Sequence, residues 1–137
     1  MSFYIMLNSA AGVGNSYDYT TTLANTINLN DNLNYEIAVI KGSYQTPDPH
    51  SNKNVYFLCD LVEMSYVGNT LKNVIHKTNT IQPTKIQADV VHFENNQKVW
   101  FKMNSKHFST IRIQVQDEDG TNIPSGYSDV LLEIRQI

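Results

Sequence analysis

Hydrophobic residues recur at every second position along most of this chain. In 109–116, Ile111, Ile113 and Val115 alternate with Arg112, Gln114 and Gln116, which predicts a strand with one face buried and one wet. In 129–136, Val130, Leu132 and Ile134 alternate with Leu131, Glu133 and Arg135. Phe3, Ile5 and Leu7 share one face at the front of the chain. The runs 35–40 (YEIAVI) and 55–62 (VYFLCDLV) are apolar on both faces, as expected of strands covered on two sides. Weaker alternation marks 17–23, 69–76, 87–93 and 98–103, giving eight or nine short strands.

Turn residues punctuate these runs at 10–16, 46–54, 67–70, 94–97 and 118–126. Pro47 and Pro49 make the second of these rigid and non-helical. Leu23 and Ile27 stand at helical spacing, but the threonines and asparagines around them are poor helix formers. Strands without helices predict an all-β sandwich or barrel. Periodicity alone leaves an immunoglobulin-like sandwich and a jelly roll both open.

A length of 137 residues suits a single domain spanning 1–137. Charged residues are only 17% of the chain, low for helices with solvated faces and ordinary for strands whose wet faces carry Thr, Asn and Gln. The net charge of −3 does not favour nucleic acid. The N-terminus has no basic and apolar leader pattern, and no run is long enough to span a membrane as a helix. None of the 16 asparagines lies in a glycosylation sequon, which leans against a secreted glycoprotein.

Candidate chemistry is sparse. His92 and Glu94 fall on one strand face, but two ligands make half a metal site at best. His50, His76 and His107 stand in unrelated contexts. Asp117, Glu118 and Asp119 gather carboxylates without the spacing of a calcium loop, and a turn at Asp119-Gly120 explains them equally. Ser105 and His107 lie close in sequence without a nucleophile elbow. Cys59, the single cysteine, sits in an apolar strand as a buried thiol and allows no internal disulfide. Lys98, Trp100 and Lys102 would share a strand face that could stack bases, but a solubilised face explains them better. The expectation is a chain with no catalytic residue, no cofactor and no metal. Eight tyrosines and a tryptophan remain, with Tyr4, Tyr56, Tyr66 and Trp100 off the predicted core faces. Such side chains bury large areas at protein interfaces, so Tyr56, Tyr66 and Trp100 are candidate subunit contacts.

The last thirty residues carry a resemblance. Phe108, Thr110, Ile111, Ile113, Val115, Asp117, Gly120, Ile123, Pro124 and Gly126, followed by Val130, Leu132 and Arg135, resemble the C-terminal signature of single jelly-roll penton, or minor capsid, proteins. These belong to virophages and Polinton-type viruses and are distantly like the adenovirus penton base. Upstream, INLNDNLNYEIAVIKGSY is similar to another family segment, with Tyr35 where tryptophan is usual, and 55–75 matches through Val55, Cys59, Asp60, Val67 and Gly68. Ser125 stands where the family has phenylalanine, and the chain carries neither a large loop insertion nor an Arg-Gly-Asp motif.

The resemblance implies an eight-stranded antiparallel single jelly roll that forms a homopentamer at the fivefold vertices of an icosahedral virion. Its partners would be further copies of itself and neighbouring major capsid proteins, without direct contact to nucleic acid. It would be assembled inside the host cell and not secreted. The competing classes are a minor cement or spike-base capsid protein, a TNF-like or lectin-like binding module, and a jelly-roll enzyme. Protein purified without chelator should contain substoichiometric metal. A full equivalent of iron, zinc or manganese that is lost on replacing His92 would point to the enzyme instead.

Overall fold

A computed structural model of the protein describes residues 2–46, 54–79, 89–117, 119–122 and 127–137. Among them are twelve strands and no helix: β1 (Ser2–Asn8), β2 (Val13–Asn15), β3 (Asp18–Asn28), β4 (Tyr35–Thr46), β5 (Asn54–Cys59), β6 (Ser65–Val67), β7 (Thr70–Lys72), β8 (Val74–Asn79), β9 (Asp89–Glu94), β10 (Phe101–Lys102), β11 (His107–Asp117) and β12 (Ser128–Gln136). The expected turns around Pro47, Pro49, Pro124 and Ser125, together with Glu118 and His50, lie outside the described residues.

Two antiparallel sheets face each other. The first runs β1-β12-β4, with β9 and β10 pairing different stretches of the far edge of β4. The second runs β2-β3-β11-β5-β8. Removing the short β2, β6, β7 and β10 leaves eight long strands in two four-stranded faces, which is the single jelly roll.

The alternation explains the register. Across the first sheet, Phe3, Ile134 and Ile37 lie opposite one another, as do Ile5, Leu132 and Val39. In the second, Ile113 lies between Tyr19 and Cys59. These residues point between the sheets. Ile37, Ile111, Ile113, Leu132 and Ile134 are fully buried, with Tyr19, Tyr44 and Phe57 as the largest fillers. Tyr35 is buried too, and its hydroxyl finds a partner by accepting the Asn30 N–H at 3.2 Å.

Three expectations are corrected. The run 98–103 yields only the two-residue β10, because the chain at 98–100 leaves the sheet and lies over it. The run 69–76 breaks at Asn73 into β7 and β8, and β7 turns back on β6 through Gly68-Asn69. Gly68 has φ +62°, which the two-residue turn requires and which a side chain would strain. The stretch 10–16, expected to be turn throughout, contains β2.

Asparagine amides tie down the crossings. Asn104 Nδ2 donates to the Asp60 carbonyl at 2.7 Å and to that of Val62 at 3.1 Å. Asn73 Nδ2 also reaches the Val62 carbonyl, at 3.1 Å, and Asn95 Nδ2 reaches that of Val39 at 3.0 Å. Each supplies a donor to a carbonyl that no neighbouring strand meets at a corner of the sandwich.

Gly42 marks a tight crossing within the first sheet. A Cβ there would stand 2.5 Å from the Asp129 carbonyl oxygen and 2.6 Å from the Phe93 ring, so only hydrogen lets Phe93 cross β4. Gly42→Ala should therefore lower stability by about 1–3 kcal/mol through overpacking. Ile113→Asp, which buries an unpaired carboxylate, should remove on the order of 4 kcal/mol or more. Urea unfolding monitors both. An Ile113→Asp midpoint equal to that of the parent would mean that the inward face is misassigned.

Candidate subunit interface

The outer face of the first sheet is built on charge pairs. Glu133 on β12 is buried despite pointing outward, because Lys98 lies over it with Nζ 2.6 Å from Oε1. One strand position along, Arg135 is ion-paired with Glu36 of β4, its Nε donating at 2.6 Å. The guanidinium then carries Trp100, with Cζ 3.7 Å from the ring centroid, while Lys98 Nζ lies 5.9 Å from it. A planar guanidinium can stack on an indole and still bond a carboxylate, which an ammonium cannot do as well. Trp100 is thus pinned flat on its own sheet and half-buried there. Lys102 faces Glu63 at 3.8 Å. Both lysines of the expected stacking face, Lys98 and Lys102, thus face carboxylates.

The second sheet presents a different surface. The β6–β7 hairpin is tethered to it by Lys72, whose Nζ donates to Gln116 Oε1 at 3.0 Å. Val67, Thr70 and Lys72 line a shallow groove whose floor includes Tyr56. Tyr66 and Leu71 pair directly across the hairpin and are 73% and 48% exposed. Of the three candidate contacts, Tyr56 and Tyr66 therefore belong to one side of the sandwich and Trp100 to the other. Tyr4 and Met6, 59% and 58% exposed, stand on the outer face of β1. The two-residue period set Tyr4 and Tyr56 off the core, as the structure does, but the strand it suggested at Trp100 is absent there, and the Lys98–Glu133 and Arg135–Trp100 contacts join distant segments and leave no local signal. The hairpin did leave one, in the Gly68-Asn69 turn.

The remaining candidates are placed as follows. His92 and Glu94 both point outward and are exposed. His92 pairs across the sheet with Ser43, whose hydroxyl donates to Asp129 Oδ2 at 2.9 Å. Ser105 Oγ donates to the backbone carbonyl of His107, while the two ring nitrogens of His107 meet Asn28 at 3.0 Å and Asp31 at 2.7 Å. The pair is therefore not a nucleophile and its base. Asp117 uses one carboxylate oxygen to accept the N–H groups of Asp119 and Thr121, at 2.9 and 3.0 Å, which closes the turn ending at Gly120, φ +80°. Cys59 is buried, which pushes its thiol up to about 12 and makes it a poor nucleophile. On the outer face of the second sheet, Arg112 grips Asp18 with two bonds of 2.9 and 2.7 Å and holds its carboxyl below the usual range. No group of three or more metal-ligating side chains occurs among the described residues.

One histidine is structural. His76 of β8 stacks on Phe93 of β9, with centroids 4.1 Å apart and planes 14° off parallel, and so closes one flank of the sandwich. Its Nδ1 lies 3.2 Å from the Asn95 amide, and its Nε2 is buried without a partner.

The geometry defines a jelly-roll sandwich whose notable features are surfaces rather than a reaction centre. No family model matches the chain, and no curated protein does. Among solved structures, it is similar to the selenomethionine-labelled penton protein of mavirus, with 7% sequence identity and a TM-score of 0.69 over 100% of both chains. At that identity the likeness establishes the fold, and it does so from end to end.

The histidine yields a pH prediction. Burial lowers the pKa of His76 from 6.5 to about 4. Between these values the unfolded chain binds a proton that the folded chain refuses, so this contribution to stability is lost as pH falls from about 6.5 to about 4. The melting temperature should drop between about pH 7 and about pH 5, and His76→Phe should flatten the drop. Equal pH slopes in parent and variant would contradict this assignment.

Proposed function

We propose that this chain is a structural capsid protein of the penton class. It forms a homopentamer at the fivefold vertices of an icosahedral virion and meets neighbouring major capsid proteins there. The observation that carries this reading is the likeness to a penton protein over 100% of both chains. The C-terminal sequence resemblance supports it as well, because Phe108, Ile111, Ile113, Val115, Val130 and Leu132 of that stretch are buried positions of β11 and β12. The role is mechanical rather than catalytic. Supporting that are the local bonds that occupy Ser105, His107 and Asp117, and the depth of Cys59. The pairing of Lys98, Lys102, Arg112 and Arg135 with carboxylates supports a protein that does not hold the genome directly. The place of work is the virion, with assembly inside the host cell.

A closed ring needs a heterologous contact, in which one flank of the sandwich meets the opposite flank of its neighbour. Tyr56, Tyr66 and Trp100 are offered as contributors to contacts within the vertex. Light scattering after size exclusion is expected to give the mass of a pentamer, and a particle reconstruction is expected to place the chain at the vertex. A trimer would favour the TNF-like module, and a virion protein found away from the vertices would be a cement protein instead.

A further inference from the structure

The two flanks of the sandwich differ. With β8 and β9 closing one flank through the His76–Phe93 stack, β1 and β3 form the other. There the sandwich is open. Phe3 and Ile5 of β1 and Leu23 and Ile27 of β3 pack against the core yet stay only partly buried. Strand β1 has no partner on its outer side, and β3 has β2 only along Asp18–Thr20, among the described residues. Exposed edges of this kind normally carry lysine, proline or a covering loop to prevent pairing with other chains. Among the described residues this flank has no such guard. The first thirty residues contain one charged side chain, Asp18, and Arg112 already holds it.

We infer that the β1/β3 flank is the seat of a second copy of this chain, and that it is one of the two surfaces of the ring contact. The inference rests on the penton reading and names the surface that the reading leaves open. Three observations select a second copy as the occupant. The chain carries a net charge of −3, so two copies repel one another on average. They can approach without that repulsion over the uncharged flank. Tyr4 and Met6 extend the apolar strip onto the outer face of β1 and supply the large side chains typical of an interface centre. Finally, the size fits. Eight residues of β3 beyond the stretch paired with β2 span about 26 Å, and two sheets ~10 Å apart with their side chains make a strip about 20 Å wide, or roughly 500 Å² from each copy. A specific contact should bury about 1,000 Å² in total over both partners.

The test introduces charge without touching the core. Met6 and Ala24 are exposed, so the double variant Met6→Lys/Ala24→Lys should fold with an unchanged melting temperature. It also reduces the net negative charge, so any general electrostatic effect would strengthen association. Gln97→Lys, at an exposed loop position after β9 that belongs to none of the candidate contacts, is the control. Sedimentation equilibrium of all three proteins gives the mass. The parent is expected to assemble, the double variant to weaken assembly by at least about tenfold in Kd, and the control to match the parent. A double variant that assembles like the parent, or a control that alone dissociates, overturns the flank assignment while leaving the pentamer intact. A parent dimer that the lysines split supports the flank assignment and overturns the ring. A parent that stays monomeric at about 1 mM shows that the flank seats some other chain and overturns the inference, leaving the penton role to the particle reconstruction.

Discussion

Everything in this fold passes through the two last strands. β12 lies between β1 and β4, and β11 between β3 and β5, so each sheet is held at its centre by a strand from the end of the chain. The inward side chains of β11 and β12 meet residues from the first half of the chain on both sides, and slipping either strand by one position would turn that whole row towards solvent. Hydrophobic alternation thus fixes register, and register fixes which elements can lie on the surface. The same arrangement makes most pairings non-local, which places the chain among the slower-folding topologies.

Legibility followed the same rule. Where one face is wet, as in β11 and β12, period two located the strand and its inward residues. Where both faces are covered, as in β4 and β5, the apolar run located the strand but not its orientation. Strands of two or three residues have no period to detect, so β2 was read as turn, β6 was not read as a strand, and β7 was merged with β8. Around Trp100 the hydrophobic residues suggested a strand, but the chain is held there by Lys98 on Glu133 and by Arg135 beneath the indole. Those partners are remote in sequence and meet only after the sheet has formed.

The candidate chemistry shows how far sequence proximity can mislead in a β protein. Ser105 and His107 are two residues apart, yet the serine hydroxyl serves the backbone and the imidazole serves Asn28 and Asp31. Asp117 belongs to a cluster of carboxylates, yet it is turned inward on its own loop. In both cases a short polar side chain satisfies nearby main chain at little entropic loss, and local demand of that kind outcompetes any distant ligand. The aromatic residues left off the core have the opposite character. They are large, apolar or aromatic, and left over once the core is full, which is why their existence was visible in the sequence and their grouping was not.

The asparagine amides at the crossings have a consequence for the conditions the protein tolerates. A neutral amide donating to a carbonyl carries no net charge, so added salt does not screen it and no ordinary pH titrates it. Ion pairs such as Lys102 with Glu63 weaken as ionic strength rises, whereas the links from Asn73, Asn95 and Asn104 do not. The corners of the sandwich therefore keep their geometry in brine and in dilute buffer alike, and a change of medium acts on the outer faces while the frame beneath them holds its shape.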